Sequence, residues 1–119
     1  MPASTVLRVR QGDRRPPIGG VCRRNGALPT TANGGQLSDA TGIRFHLRNI
    51  ETGTLEVDAA ATVVSSAAGT VRYDWAAGDT DVVGWYHAEF EVTWSVGVTE
   101  SFPNGPLDEL TVVIFPDVA

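Results

Sequence analysis

A single cysteine, Cys22, excludes an internal disulfide, so packing alone must hold the fold and a disulfide-stapled secreted scaffold is ruled out. Lysine is absent. All nine basic residues are arginine, which with abundant Ala, Gly and Val points to GC-rich coding and carries no mechanistic meaning. No apolar run approaches the roughly 18 residues of a membrane-crossing helix. The opening Met1-Pro2-Ala3-Ser4-Thr5 has no charged segment followed by an apolar one, so neither a membrane partner nor an export signal is expected. No segment keeps the i, i+3, i+4, i+7 apolar spacing of an amphipathic helix. Histidine occurs only as His46 and His87, without ligands at metal spacing. A Gly-x-Ser-x-Gly elbow, a phosphate-cradling glycine loop and a His-Glu-x-x-His motif are all missing. These absences predict a protein without metal, cofactor or catalytic site.

What remains is a chain of 119 residues, 42% hydrophobic and 19% charged, the composition of one soluble globular domain spanning 1–119. Its charge is unevenly divided. Residues 1–48 carry +6 and residues 49–119 carry −11, giving the net −5. Net acidity argues against nucleic acid as a partner, because phosphate neutralisation demands a basic patch.

Period-two alternation marks the strands. Leu7 and Val9 alternate with Arg8 and Arg10; Ile43, Phe45 and Leu47 alternate with Arg44, His46 and Arg48. Leu55 to Val63 alternates as one run, Val71, Tyr73 and Trp75 share a face, and Tyr86, Ala88, Phe90, Val92 and Trp94 share another. Each pattern gives one buried and one wet face. Leu110 to Phe115 is apolar almost throughout, as in a strand covered on both sides by its own domain or by a partner. Parity predicts one core of Ile43, Phe45, Leu47, Val71, Tyr73, Trp75, Tyr86, Phe90, Val92 and Trp94 between two sheets.

Turn signals separate the runs: Asn25-Gly26, Asn33-Gly34-Gly35, Thr52-Gly53, Ala68-Gly69, Gly78-Asp79, Val96-Gly97 and Asn104-Gly105-Pro106. Arg14-Arg15-Pro16-Pro17 reads as an extended kink joining strands of different sheets. Residues 23–40 form a long loop, polar and rich in glycine and threonine, suited to ordering by a partner. Together these features predict an all-β fold, a sandwich of two antiparallel sheets.

The order of motifs is more specific than any one of them. Val9-Arg10-Gln11-Gly12-Asp13 comes first, then Leu37-Ser38-Asp39-Ala40-Thr41-Gly42 leading into Ile43-Arg44-Phe45-His46-Leu47-Arg48. Gly69-Thr70-Val71-Arg72-Tyr73-Asp74-Trp75, Gly84-Trp85-Tyr86-His87-Ala88-Glu89-Phe90-Glu91-Val92-Thr93 and Glu100-Ser101-Phe102-Pro103 follow. The series resembles the immunoglobulin-like N-terminal domain of the tailed-phage baseplate upper protein family over nearly the whole chain. The resemblance implies an immunoglobulin-like β-sandwich and a non-enzymatic virion structural role, as a module that docks on repeated capsid, tail or baseplate subunits. It also implies assembly in the host cytoplasm and partners that are other virion proteins or copies of the chain itself.

Gly84-Trp85-Tyr86 looks like a tyrosine corner, although Val82 stands where the usual pattern puts an acid. Trp85 falls on the polar face beside His87, Glu89 and Glu91, as a contact for a neighbouring chain or a sugar. That parity supports the alternative of a carbohydrate- or host-surface-binding module. Glu89 and Glu91 are expected to pair across strands with groups such as Arg44 and Arg48. Partner contacts are expected at Arg23 and Arg24 in the long loop and along Leu110, Val112 and Ile114, if the last strand is an open edge.

Overall fold

The computed structural model describes residues 4–24, 27–30, 34–103 and 109–117. The turn signals Asn25-Gly26 and Asn104-Gly105-Pro106, and Asn33 of a third, lie outside the described residues. Among the described residues nine strands form two sheets: β1 (Ser4–Arg10), β2 (Ile18–Val21), β3 (Gly42–Asn49), β4 (Leu55–Ala60), β5 (Thr62–Ser65), β6 (Thr70–Tyr73), β7 (Gly84–Ser95), β8 (Val98–Phe102) and β9 (Glu109–Phe115). The six-stranded sheet runs β1-β9-β7-β3-β4, with β8 also on β7, and the three-stranded sheet runs β2-β6-β5. The sandwich follows from the alternation, since each sheet has one apolar face to bury.

In the immunoglobulin scheme one sheet holds strands B, E and D and the other C, F and G. Here β2, β6 and β5 take the first set of places and β3, β7 and β9 the second, with β4 added beside β3. One ladder is parallel: β1 runs along β9 from Ser4↔Glu109 to Arg10↔Phe115, while the other ladders are antiparallel. The twelve-residue β7 is long enough to pair first with β9, over Gly84–Ala88, and then with β8, over Phe90–Ser95.

The core joins the sheets through aromatic rings. Phe45 of β3 stacks on Tyr73 of β6 at 4.6 Å between centroids, and Trp75 meets both rings edge-on at 5.7 and 5.8 Å. The Trp75 indole N–H donates to the Pro16 carbonyl at 3.1 Å, which satisfies the one polar atom of a fully buried side chain. Nine of the ten core residues expected from parity are buried, and Trp94 is only partly so, at the rim. Val9, Ile18, Leu37, Phe102 and Leu110 are among the other residues of the interior.

Three features differ from the pattern. The run Leu55 to Val63 is two strands: β4 lies on β3, and after Ala61 the chain crosses to pair β5 with β6. Alternation reports which face is wet and says nothing of which sheet a strand joins, so the crossing left no mark. The glycine pair in Ile18-Gly19-Gly20-Val21 and the polar Val98-Thr99-Glu100-Ser101-Phe102 also hid β2 and β8. The kink at Arg14–Pro17 does carry the chain from one sheet to the other.

Candidate functional site

The start of β7 is a tyrosine corner. The Tyr86 hydroxyl, on a fully buried ring, donates to the Val82 carbonyl four residues upstream, so the backbone supplies the acceptor at the position that lacks an acid. Burial pushes the phenol above its ordinary pKa. Gly84 belongs to the same corner because a Cβ there would stand 3.3 Å from the Asn49 side-chain nitrogen. Asn49, itself buried, accepts through Oδ1 from the backbone N–H groups of Glu51 and Thr52 at 2.9 and 3.0 Å. The corner is therefore a structural joint that fixes the loops at one end of the sandwich. Two residues beyond Tyr86, where antibody domains carry their second cysteine, this chain has the buried Ala88.

A cleft of about 340 Å³ opens between β2 and the residues Phe102, Pro103, Glu109 and Leu110 at the end of β8 and the start of β9. Its walls are the β2 backbone from Gly19 onward, and its floor is Phe90, Phe102, Val71 and Leu110. A Cβ on Gly20 would meet the Phe90 ring at 3.1 Å, so glycine lets β2 settle against that floor. Cys22 borders the cleft as a buried thiol, pushed up to about 12 chiefly by desolvation, which leaves it unreactive at neutral pH. Exposed Arg23 and Glu109 stand at the mouth. β2 pairs with β6 along one edge and with no strand along the other among the described residues.

The cleft brings together only part of the residues proposed for partner contact. Arg23 and Leu110 line it. Arg24 does not: its guanidinium is held by Glu100, lies 5.4 Å over the Trp94 ring and donates to the Gly35 carbonyl at 3.2 Å. Trp94 Nε1–H donates to the same Glu100 at 3.1 Å. Arg24 is thus a structural tie that binds the described part of the 23–40 loop to β7 and β8, and Leu37 of that loop is buried in the core. The docking edge expected at Leu110, Val112 and Ile114 is also corrected. β9 is flanked by β1 and β7, and these three side chains are 8%, 0% and 1% exposed, because the apolar run faces the domain's own core.

Trp85 lies elsewhere, 51% exposed on the outer face of the six-stranded sheet. It sits across from Val113 of β9, which it helps to cover, with Ile50 bonded beside it and Val83 exposed nearby. Arg8 follows in the same cross-strand row.

The outer face also carries a polar group that sequence spacing did not announce. His46 of β3 is opposite Glu89 of β7 in the ladder, with Nδ1 3.0 Å from Oε1, and its Nε2 lies 3.1 Å from Asp58 Oδ1 on β4. Arg44 bonds Asp58 at 2.6 Å, and this contact foremost holds that carboxyl below its ordinary pKa. The ligand atoms of His46, Glu89 and Glu91 lie within 4.8 Å of one another. Arg44 and Arg48 do not pair with the two glutamates as expected: Arg44 turns to Asp58 on the other neighbouring strand, and Arg48 donates to the Gly53 carbonyl at 2.6 Å. The shared parity of His46, Glu89 and Glu91 was the only available signal, and register was needed to use it.

No protein-family model and no curated protein matches the chain.

Proposed function

We propose that this chain is a non-enzymatic structural module of a tailed-phage particle, an immunoglobulin-like sandwich that docks on capsid, tail or baseplate subunits as decoration or connector. The observation that carries the reading is the edge of β2 that pairs with no strand among the described residues, above an apolar cleft. Such an edge presents N–H and C=O groups that an extended backbone satisfies by strand addition, while the cleft takes an apolar side chain. The occupant is an extended segment of a neighbouring virion subunit, with an acidic side chain for the exposed Arg23 at the mouth. Protein rather than nucleic acid or membrane is the partner, in keeping with the net acidity. Assembly in the host cytoplasm belongs to the same proposal.

Quantitative mass spectrometry of purified particles tests it. The chain should be present at a fixed ratio to the major shell subunit, and Arg23→Glu combined with Val21→Asp should lower incorporation about tenfold, the effect of roughly 1.4 kcal/mol of contact. Absence from particles, or unchanged incorporation of the double variant, would overturn the cleft as the docking site. A second reading, a host-surface glycan binder, is favoured by the exposure of Trp85. In that case Trp85→Ala abolishes binding to host-surface glycans and leaves incorporation intact.

A further inference from the structure

We propose that His46, Glu89 and Glu91 form a binding site for a first-row divalent cation of the Zn2+ type on the outer face of the six-stranded sheet. One imidazole and two carboxylates are a donor set suited to such an ion, with water completing the coordination. Ligand atoms about 2.1 Å from a tetrahedral ion are roughly 3.4 Å apart. The three donors already lie within 4.8 Å of one another, so side-chain rotation on a fixed backbone closes the set.

Two independent observations support an ion here. The first is the orientation of the ring. One ring nitrogen, Nε2, lies 3.1 Å from Asp58, whose carboxylate is anchored by Arg44, and the other, Nδ1, faces Glu89 at 3.0 Å. A carboxylate behind a histidine is the arrangement that fixes the tautomer and raises the basicity of a metal ligand. The second is charge. Asp58, Glu89 and Glu91 place three carboxylates around the ring, with Arg44 as the only arginine bonded into the group among the described residues, so an ion entering between the glutamates meets negative charge. Arg44 is turned away toward β4 and does not fill the position between the two glutamates. In sequence His46 and Glu89 are 43 positions apart, which is why no metal spacing is legible there.

Isothermal titration of the chelator-treated full chain with Zn2+ at neutral pH tests the site, with Mg2+ as the control for a purely electrostatic effect. The expected result is one saturable Zn2+ per chain that Mg2+ does not displace. His46→Gln and Glu91→Gln should each weaken binding by at least about tenfold, and Asp58→Asn by about tenfold through the ring it orients. His87→Gln, which removes the separate His87–Glu109 pair, should leave the affinity unchanged. A circular dichroism spectrum matching the parent verifies that each variant stays folded. Absence of saturable Zn2+ binding to the parent chain overturns the proposal, as does equal displacement by Mg2+ or an affinity unchanged in folded Glu91→Gln.

Discussion

Arg24 and Glu100, 76 positions apart, close into a two-point ion pair, Nε to Oε2 at 2.9 Å and Nη2 to Oε1 at 2.6 Å, with side chains 13% and 21% exposed. The hydrogen bond it donates to Glu100 is the main reason that the guanidinium is held even more firmly protonated than usual. The pair makes a charged residue of the long loop part of the fold. Its removal takes the guanidinium from a half-buried carboxylate and from the face of Trp94, and leaves Glu100 the Trp94 N–H bond. Arg24→Ala should therefore cost about 2 kcal/mol in urea unfolding, whereas Arg23→Ala should change stability by less than about 0.5 kcal/mol. Equal effects of the two would refute the assignment of Arg24 as a tie.

The tyrosine corner makes a narrower prediction. Tyr86→Phe keeps the buried ring and removes only the hydroxyl that serves the Val82 carbonyl. The expected loss is about 1–2 kcal/mol, larger than for an exposed hydrogen bond because the acceptor loses its partner. Thermal unfolding of the two proteins decides it, and an unchanged midpoint would mean the bond contributes nothing.

Stability should fall in alkali. Cys22 ionises near 9.0 when unfolded and is raised to about 12 in the fold, so its contribution is fully present below about 9 and is lost as pH rises through about 12. Buried Tyr73 and Tyr86, also raised, add to the decline above pH 10. Cys22→Ala should flatten the slope between pH 9 and 12 by up to about 1.4 kcal/mol per pH unit. Urea unfolding at several pH values reads that slope, and identical slopes would show that the thiol is not shielded.

The three tryptophans should separate cleanly. Trp75→Ala empties the centre of the core and should cost about 3–5 kcal/mol. Trp85→Ala, on the outer face, should cost well under that, within about 1 kcal/mol. Fluorescence-monitored unfolding of each variant measures both. A large loss at Trp85 would mean that its covering of Val113 is a structural role.

Residue parity determined much of this protein by itself. It placed Phe45, Tyr73, Trp75, Phe90 and Val92 in one core, because a strand sends alternate side chains to opposite faces whatever its neighbours are. It set Trp85 on the outside, while the motif Gly84-Trp85-Tyr86 marked the corner. Parity is blind to pairing. Only the tertiary structure decided that β9 lies between β1 and β7, which turned Leu110, Val112 and Ile114 from an open edge into interior, and that Leu55 to Val63 divides between two sheets. It also decided that Arg24 bonds Glu100 and that His46 meets Glu89 and Asp58. These contacts join residues far apart in sequence, and their existence depends on register and strand order, quantities fixed by the packing of the whole core rather than by any local run.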